Sequence, residues 1–218
     1  MKRTMGMILL LLGLWPANGV WAIDVTARRV EDREMNVDGL LEEAAWSQSG
    51  VTGDFQGLYG QTEVKCQTRI RVLYSDEYLY FGIAAEIPAG TVPQSAGVYD
   101  GDRVETVLRT TLEDTYYYLF TLSACNVRED CAFANADYSV PEDFDSRWET
   151  RAVVKDDIWY AEIKIPFAAF ANDPPPAKGS VWYINFCRGC GNSGGVVYSA
   201  LDPAHNGFHN AACKLIFD

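Results

Sequence analysis

The chain has 218 residues, 30 acidic against 18 basic, and a formal net charge of −12 at pH 7. This negative surplus repels phosphate backbones and anionic headgroups, which excludes a nucleic-acid partner on electrostatic grounds. Hydrophobic residues make up 48% and aromatic residues 13%, enough apolar surface for a substantial core, which excludes a disordered chain.

Lys2 and Arg3 precede an apolar run from Met7 to Trp15, and Val20-Trp21-Ala22 follows. That order is the pattern of a secretion signal, with cleavage expected after Ala22. Its apolar core is shorter than the ~20 residues needed to cross a bilayer. No cysteine beside the cleavage point offers a lipid anchor. Residues 23–218 are therefore expected to be one secreted or periplasmic domain without membrane insertion, of a size that single β-sandwiches reach.

All six cysteines follow the leader. An even number in an exported chain points to disulfides before metal or redox chemistry. Cys125 and Cys131 flank the polar stretch Asn126 to Asp130 and are expected to pair across a hairpin end. Cys66, Cys187, Cys190 and Cys213 permit several connectivities. The Cys187-Arg188-Gly189-Cys190 run follows a strand and opens no helix, so the helix end that would stabilise a thiolate is missing and a structural disulfide is expected in place of a redox pair.

In chain order, Asp24 to Arg33 is polar and irregular. Leu40 to Trp46 suits a short helical turn that docks Leu41, Ala45 and Trp46 on a sheet. Val64, Cys66, Thr68, Ile70, Val72 and Tyr74 alternate with Lys65, Gln67, Arg69 and Arg71, the period of a half-buried strand. Tyr78 to Ala85 is apolar on both faces and belongs in the middle of the fold. Pro88 to Gly101 is a Gly- and Pro-containing loop that delivers Tyr99 and Asp100 to the next strand, Arg103 to Thr110. Tyr116 to Ala124 is a further strand, and Asn135 to Arg147 an acidic excursion. Trp148 to Lys155 and Ile158 to Ile165 form a hairpin around Asp156-Asp157, ended by Pro166. Phe167 to Phe170 suits a second helical turn. Ser180 to Arg188, Val196 to Ala200 and Cys213 to Phe217 are the last strands. The predicted fold class is all-β, a two-sheet antiparallel sandwich with one or two short helical turns.

Several phrases, in order, resemble the family 9 carbohydrate-binding modules and the wider DOMON-like, jelly-roll type of sandwich. Met35 to Trp46, with Asp38-Gly39 ahead of an acidic turn and a tryptophan, is similar to the family's opening phrase. Arg71 to Tyr80 resembles its first hairpin, Asp102-Arg103-Val104-Glu105 its Asp-x-Val-Glu strand, and Trp159 to Phe167 its late Trp-x-x-Glu-x-x-Ile-Pro phrase. The likeness covers nearly all of residues 23–218. It implies a non-catalytic, carbohydrate-binding domain that supports polysaccharide breakdown or uptake beside an unknown partner enzyme. A sugar ring is held between two facing aromatic rings while polar groups read its hydroxyls, since displaced water must be replaced by hydrogen bonds. Carried over, the aromatic walls fall on Tyr99 and Phe208, both smaller than the tryptophans typical of the family. The polar reader falls on Glu105, the family's loop asparagine falls near His205 and Asn206, and Thr121 stands where the family has an arginine. No cofactor is required, although structural calcium is compatible with the resemblance.

Other classes are distinguishable. A sandwich that has lost its sugar would serve as a scaffold or interaction domain. A DOMON-like haem carrier would need two axial ligands, for which Met35 with His205 or His209 are the available residues. A glycosidase would need two carboxylates about 5 to 9 Å apart across a cleft, and the acids here sit in no recognisable hydrolase phrase.

Overall fold

A computed structural model describes residues 23–61, 63–91, 93, 97–112, 117–133, 144–170, 175–192, 195–203, 211 and 213–218. Twelve strands are described: β1 (Asp24–Arg29), β2 (Gln56–Gly57), β3 (Thr68–Tyr74), β4 (Tyr78–Glu86), β5 (Arg103–Arg109), β6 (Tyr117–Ser123), β7 (Arg128–Phe133), β8 (Glu149–Lys155), β9 (Ile158–Pro166), β10 (Val181–Asn192), β11 (Gly195–Ala200) and β12 (Cys213–Phe217). One short helix, α1 (Ala44–Gln48), and two 3-10 turns, Asp32–Glu34 and Phe167–Ala169, accompany them. The all-β expectation and the helical turns at both expected places are met.

The sheet arrangement differs from the expected pair of antiparallel sheets. The strands run in one hydrogen-bonded order, β7-β6-β5-β10-β12-β1-β3-β4-β9-β8, with β11 on β10 and β2 on β11. The joining strand is β1, which lies parallel to both neighbours: residues 24–27 pair with β12 and residues 28–29 with β3. The sheet is therefore mixed, and it curls. Phe81 of β4 and Phe186 of β10 have three strands between them in the order, yet their rings meet edge to face at 5.4 Å. The core fills the inside of this curl, with Ile70, Phe81, Trp159, Phe186 and Phe217 all buried.

Two strands lie where loop was expected. Within the segment taken as irregular, Val25 and Ala27 are buried while their neighbours are exposed, so β1 has the alternation of a strand with only two apolar positions to signal it. The polar stretch after Asn126 is mostly β7, whose Arg128 and Glu129 are exposed. The actual turn is tight: Ser123 accepts from Asn126 and donates to the carbonyl of Val127, and Asn126 takes a φ of 59°. This register corrects the expected Cys125–Cys131 disulfide. Cys125 sits in the turn, while Cys131 pairs with Leu119, three rungs beyond the first ladder pair, Leu122 with Arg128. At about 3.3 Å per residue that is roughly 10 Å along the ladder, beyond the ~7 Å over which a disulfide can bridge Cα atoms. The Cys125 thiol instead donates to the carbonyl of Pro93.

The hairpin around Asp156-Asp157 forms as expected, both residues adopting the positive φ of a tight two-residue turn. Trp46 and Trp159 are buried. The phrases that contain them meet in one place. Glu162, on the outer side of β9, accepts the backbone N–H groups of Asp38 and Gly39 at 2.8 Å each through Oε2, and the Trp46 indole N–H at 2.9 Å through Oε1. Gly39, at φ 92°, leaves no room for a side chain, since a Cβ would lie 2.9 Å from Arg151 and Val153.

Burial pushes the Glu162 carboxyl up to about 7, with Glu43 adding to the effect and the three N–H donors opposing it. The folded chain thus holds a proton there that the unfolded chain releases near the ordinary value of 4.5. The stability this group contributes is full below that range and is lost as pH rises through about 7. Glu162→Gln, which cannot titrate, is expected to flatten this part of the stability profile in thermal unfolding compared at about pH 5 and about pH 8. Glu162→Ala strands the donors and is expected to cost about 3 kcal/mol.

Candidate functional site

Side chains of β5 alternate between the core and the opposite, outer face. Val104 and Leu108 enter the core, while Arg103, Glu105 and Val107 face outward. Register extends that outer face across the sheet. Glu105 is paired with Thr121 of β6 on one side and with Cys187 of β10 on the other, and Thr121 is paired with Glu129 of β7.

The centre of the face is a buried ion pair. Arg103 Nε donates to Glu105 Oε1 at 2.7 Å, and both side chains are nearly inaccessible to solvent. Arg103 Nη1 donates to the carbonyl of Tyr99 at 3.0 Å. The guanidinium stands over two rings, Tyr99 at 5.5 Å and Tyr198 of β11 at 5.6 Å, close enough for cation–π attraction. Opposite Arg103 in the ladder is Gly189, where a Cβ would come within 2.7 Å of Arg103 Nη1. A glycine at this position makes the space that the guanidinium fills.

Tyr99 keeps 44% of its surface exposed at the rim. Its hydroxyl donates to Glu129 Oε1 at 2.9 Å. Burial of that hydroxyl pushes its pKa up to about 12, with Thr121 opposing and Glu129 adding, so it remains a donor throughout the physiological range. Tyr59, also exposed at 54%, meets Tyr198 edge to face at 5.7 Å and extends the aromatic rim. Exposed ring faces beside paired carboxylate and guanidinium groups can stack on C–H surfaces and read hydroxyls.

Of the residues singled out from sequence, Tyr99, Glu105 and Thr121 are brought together here. Phe208, His205 and Asn206 lie outside the described residues. The chain on either side of residues 204–210 is anchored to this same face. Asn185, buried on β10, donates to the carbonyl of Asp202 at 2.9 Å and accepts its N–H at 3.1 Å, and Ala211 packs with Val107, Tyr117, Leu119 and Phe133. Arg103, Tyr198, Tyr59 and Glu129 were not assigned roles from sequence. Arg103 had a local signal, two residues before Glu105 and so on the same face of the strand. The others become neighbours only through the register.

Cys187 and Cys190 are separated by three positions on one strand and so project to opposite faces: Cys187 packs outside with Leu58 and Ala200. The run cannot close on itself as a disulfide or redox pair. Met35 packs against Ala45, Trp46, Leu73 and Tyr80, on elements distinct from this face. Among the described residues, three acids converge closely enough to share an ion, Asp38, Glu43 and Glu162, with one oxygen of each within 4.8 Å of the others. Calcium needs six to eight oxygens. Glu162 already spends both of its oxygens on N–H donors, and Asp38 accepts from Asn36 and Leu40, so these side chains fit a structural clasp better than a calcium shell.

The sequence profile described as carbohydrate family 9 binding domain-like matches residues 37–213. No curated protein sequence matches the chain. Among solved structures, a family 9 carbohydrate-binding module from Caldicellulosiruptor kristjanssonii, determined with cellotriose, superposes with a TM-score of 0.67 at 15% identity, covering 89% of this chain and 93% of that one. The same kind of module with glucose gives 0.66 at 16% identity, covering 88% and 95%. A candidate carbohydrate-binding protein from Bacteroides uniformis gives 0.74 at 12% identity, covering 90% and 99%. At these identities the likeness establishes the fold.

Breaking the central ion pair from one side should be costly. Arg103→Leu is expected to destabilise the protein by about 3 kcal/mol in denaturant unfolding, because Glu105 is left buried and uncompensated. Adding Glu105→Leu should restore most of that loss.

Proposed function

The chain belongs to the carbohydrate family 9 binding domain-like family, and from that premise we propose that it is an exported, non-catalytic domain that binds an oligo- or polysaccharide on the outer face of β5, β6, β10 and β11. Tyr99 forms one wall against the sugar ring, and Phe208 is the second wall, as the family pattern carries it. Glu105 and Arg103, fixed by each other, read hydroxyls beside the ring, with Thr121, His205 and Asn206 completing the polar set. Export follows the leader that ends at Ala22, and the domain works in the periplasm or medium in support of an enzyme that degrades or a system that takes up polysaccharide.

The observation that carries this reading is the juxtaposition of an exposed Tyr99 ring with the Arg103–Glu105 pair on the face to which both ends of the 204–210 segment are anchored. Sugar stacking draws on C–H surface lying over an aromatic face, and specificity on hydroxyls whose lost water is replaced by fixed polar partners. The reading requires no cofactor, and the proposed ligand shell contains no ion.

Titration calorimetry with glucose, cello-oligosaccharides and a broader glycan panel tests the proposal, starting from the ligands held by the solved relatives. Tyr99→Ala is expected to weaken binding about tenfold, the equivalent of ~1.4 kcal/mol. No binding to any glycan would overturn the proposal in favour of a scaffold role. Dialysis against EDTA is expected to leave the affinity unchanged, and loss of binding after chelation would show that a metal belongs to the site.

A further inference from the structure

Two cysteines that play no part in sugar recognition face each other across the inside of the curl. Strand β1 runs parallel to β3 and to β12, and β12 runs antiparallel to β10, so β3 and β10 cross the interior in opposite senses. One contact fixes their alignment: Arg188 Nη1 reaches Thr68 Oγ1 at 3.4 Å. Two residues back from Thr68 is Cys66, and two residues on from Arg188 is Cys190. Cys190 keeps the inward side of Arg188 by alternation along β10, while Cys66 lies in the bend that leads into β3, and both line the same cavity beside the Thr68–Arg188 contact. Both are buried, and their thiols are within hydrogen-bonding reach. Together they line a cavity of about 730 Å³ whose lining also includes Glu86, Ile87, Val197 and Ser199.

We propose that Cys66 and Cys190 are joined by a disulfide in the exported protein, a covalent staple between the two halves of the curled sheet. The other four cysteines lie in a turn or on differing faces of the sheet. Cys125 is in an exposed turn, Cys131 and Cys187 face outward on β7 and β10, and Cys213 faces inward on β12 within the main core. Bridges between packed β-layers are a known solution for stabilising sandwiches.

The chemistry is exchange with an external disulfide. One thiolate attacks the oxidised carrier to give a mixed disulfide and one released thiol. The second thiolate displaces the carrier's other sulfur, so two protein thiols are oxidised as one disulfide is reduced to two thiols. Burial pushes the Cys190 thiol up to about 12, with Arg188 opposing and Asp102 and Cys66 adding to the shift. The folded, reduced protein therefore holds little thiolate at neutral pH, and the bond is expected to close before the halves finish packing.

The test is the full chain refolded in a glutathione and glutathione-disulfide buffer, alkylated, digested without reductant and mapped by mass spectrometry. The expected map contains one linked peptide joining Cys66 to Cys190, with Cys125, Cys131, Cys187 and Cys213 alkylated. Reduction is expected to lower the melting temperature of the wild type by about 5 °C or more, because the bond closes a long loop, and to leave C66S/C190S unchanged. Alkylation of all six cysteines after oxidative refolding, or a linkage between any other pair, would falsify the assignment even if the double variant fails to fold.

Discussion

The architecture depends on one short phrase, Asp102-Arg103-Val104-Glu105, and on the alternation that sends its charges to opposite faces of β5. Asp102 points inward and pairs with the buried Arg188, which also donates to the carbonyl of Glu86 and lies over the Trp159 ring at 5.3 Å. Arg103 and Glu105 point outward and pair with each other. Each ion would cost several kcal/mol to bury alone, so each needs its partner in place. Arg188 thereby ties β10 to the lead-in of β5 and to the end of β4. The outer pair makes a floor between Tyr99 and Tyr198. One strand thereby couples closure of the fold to construction of the candidate site, with Val104 between them in the core.

Much of this was legible from local pattern. The strands β3 to β6 and β8 to β12 carry alternation or continuous apolar runs, and Asp156-Asp157 names its own turn. β1 and β7 were not legible, because β1 has only Val25 and Ala27 to bury and is held by parallel neighbours on both sides, while the outer positions of β7 are charged. The same long-range pairing hid the mixed character of the sheet. In the site, Tyr99, Glu105 and Thr121 could be named from a recurring phrase. Tyr198 and Glu129 could not, since they meet that phrase only through strand register, Glu129 lying 24 residues beyond Glu105 and Tyr198 95 residues beyond Arg103, and leave no local signal. The cysteine pairing failed for a related reason: proximity in sequence suggested Cys125 with Cys131, while the fold brings Cys66 to Cys190.

The phrases shared with the family are largely those that hold the curl together. Glu162 gathers the Asp38-Gly39 backbone and the Trp46 indole, and Gly82 is close enough to Trp46 that a Cβ there would lie 3.0 Å from its ring. Conformation at such points tolerates few residues. The outer face has more freedom, because its exposed rings and loops bear little of the core packing. This division accounts for a TM-score of 0.66 to 0.74 with solved relatives that share only 12 to 16% of their residues with this chain.

The central claim is that a sugar binds on the outer face, against Tyr99 and above the Arg103–Glu105 pair. A crystal structure of the protein soaked with cellotriose or another oligosaccharide found to bind tests it most directly. The account predicts a pyranose ring stacked on Tyr99, with a hydroxyl hydrogen-bonded to Glu105 or Arg103. Sugar density elsewhere on the molecule, with this face unoccupied, would contradict it.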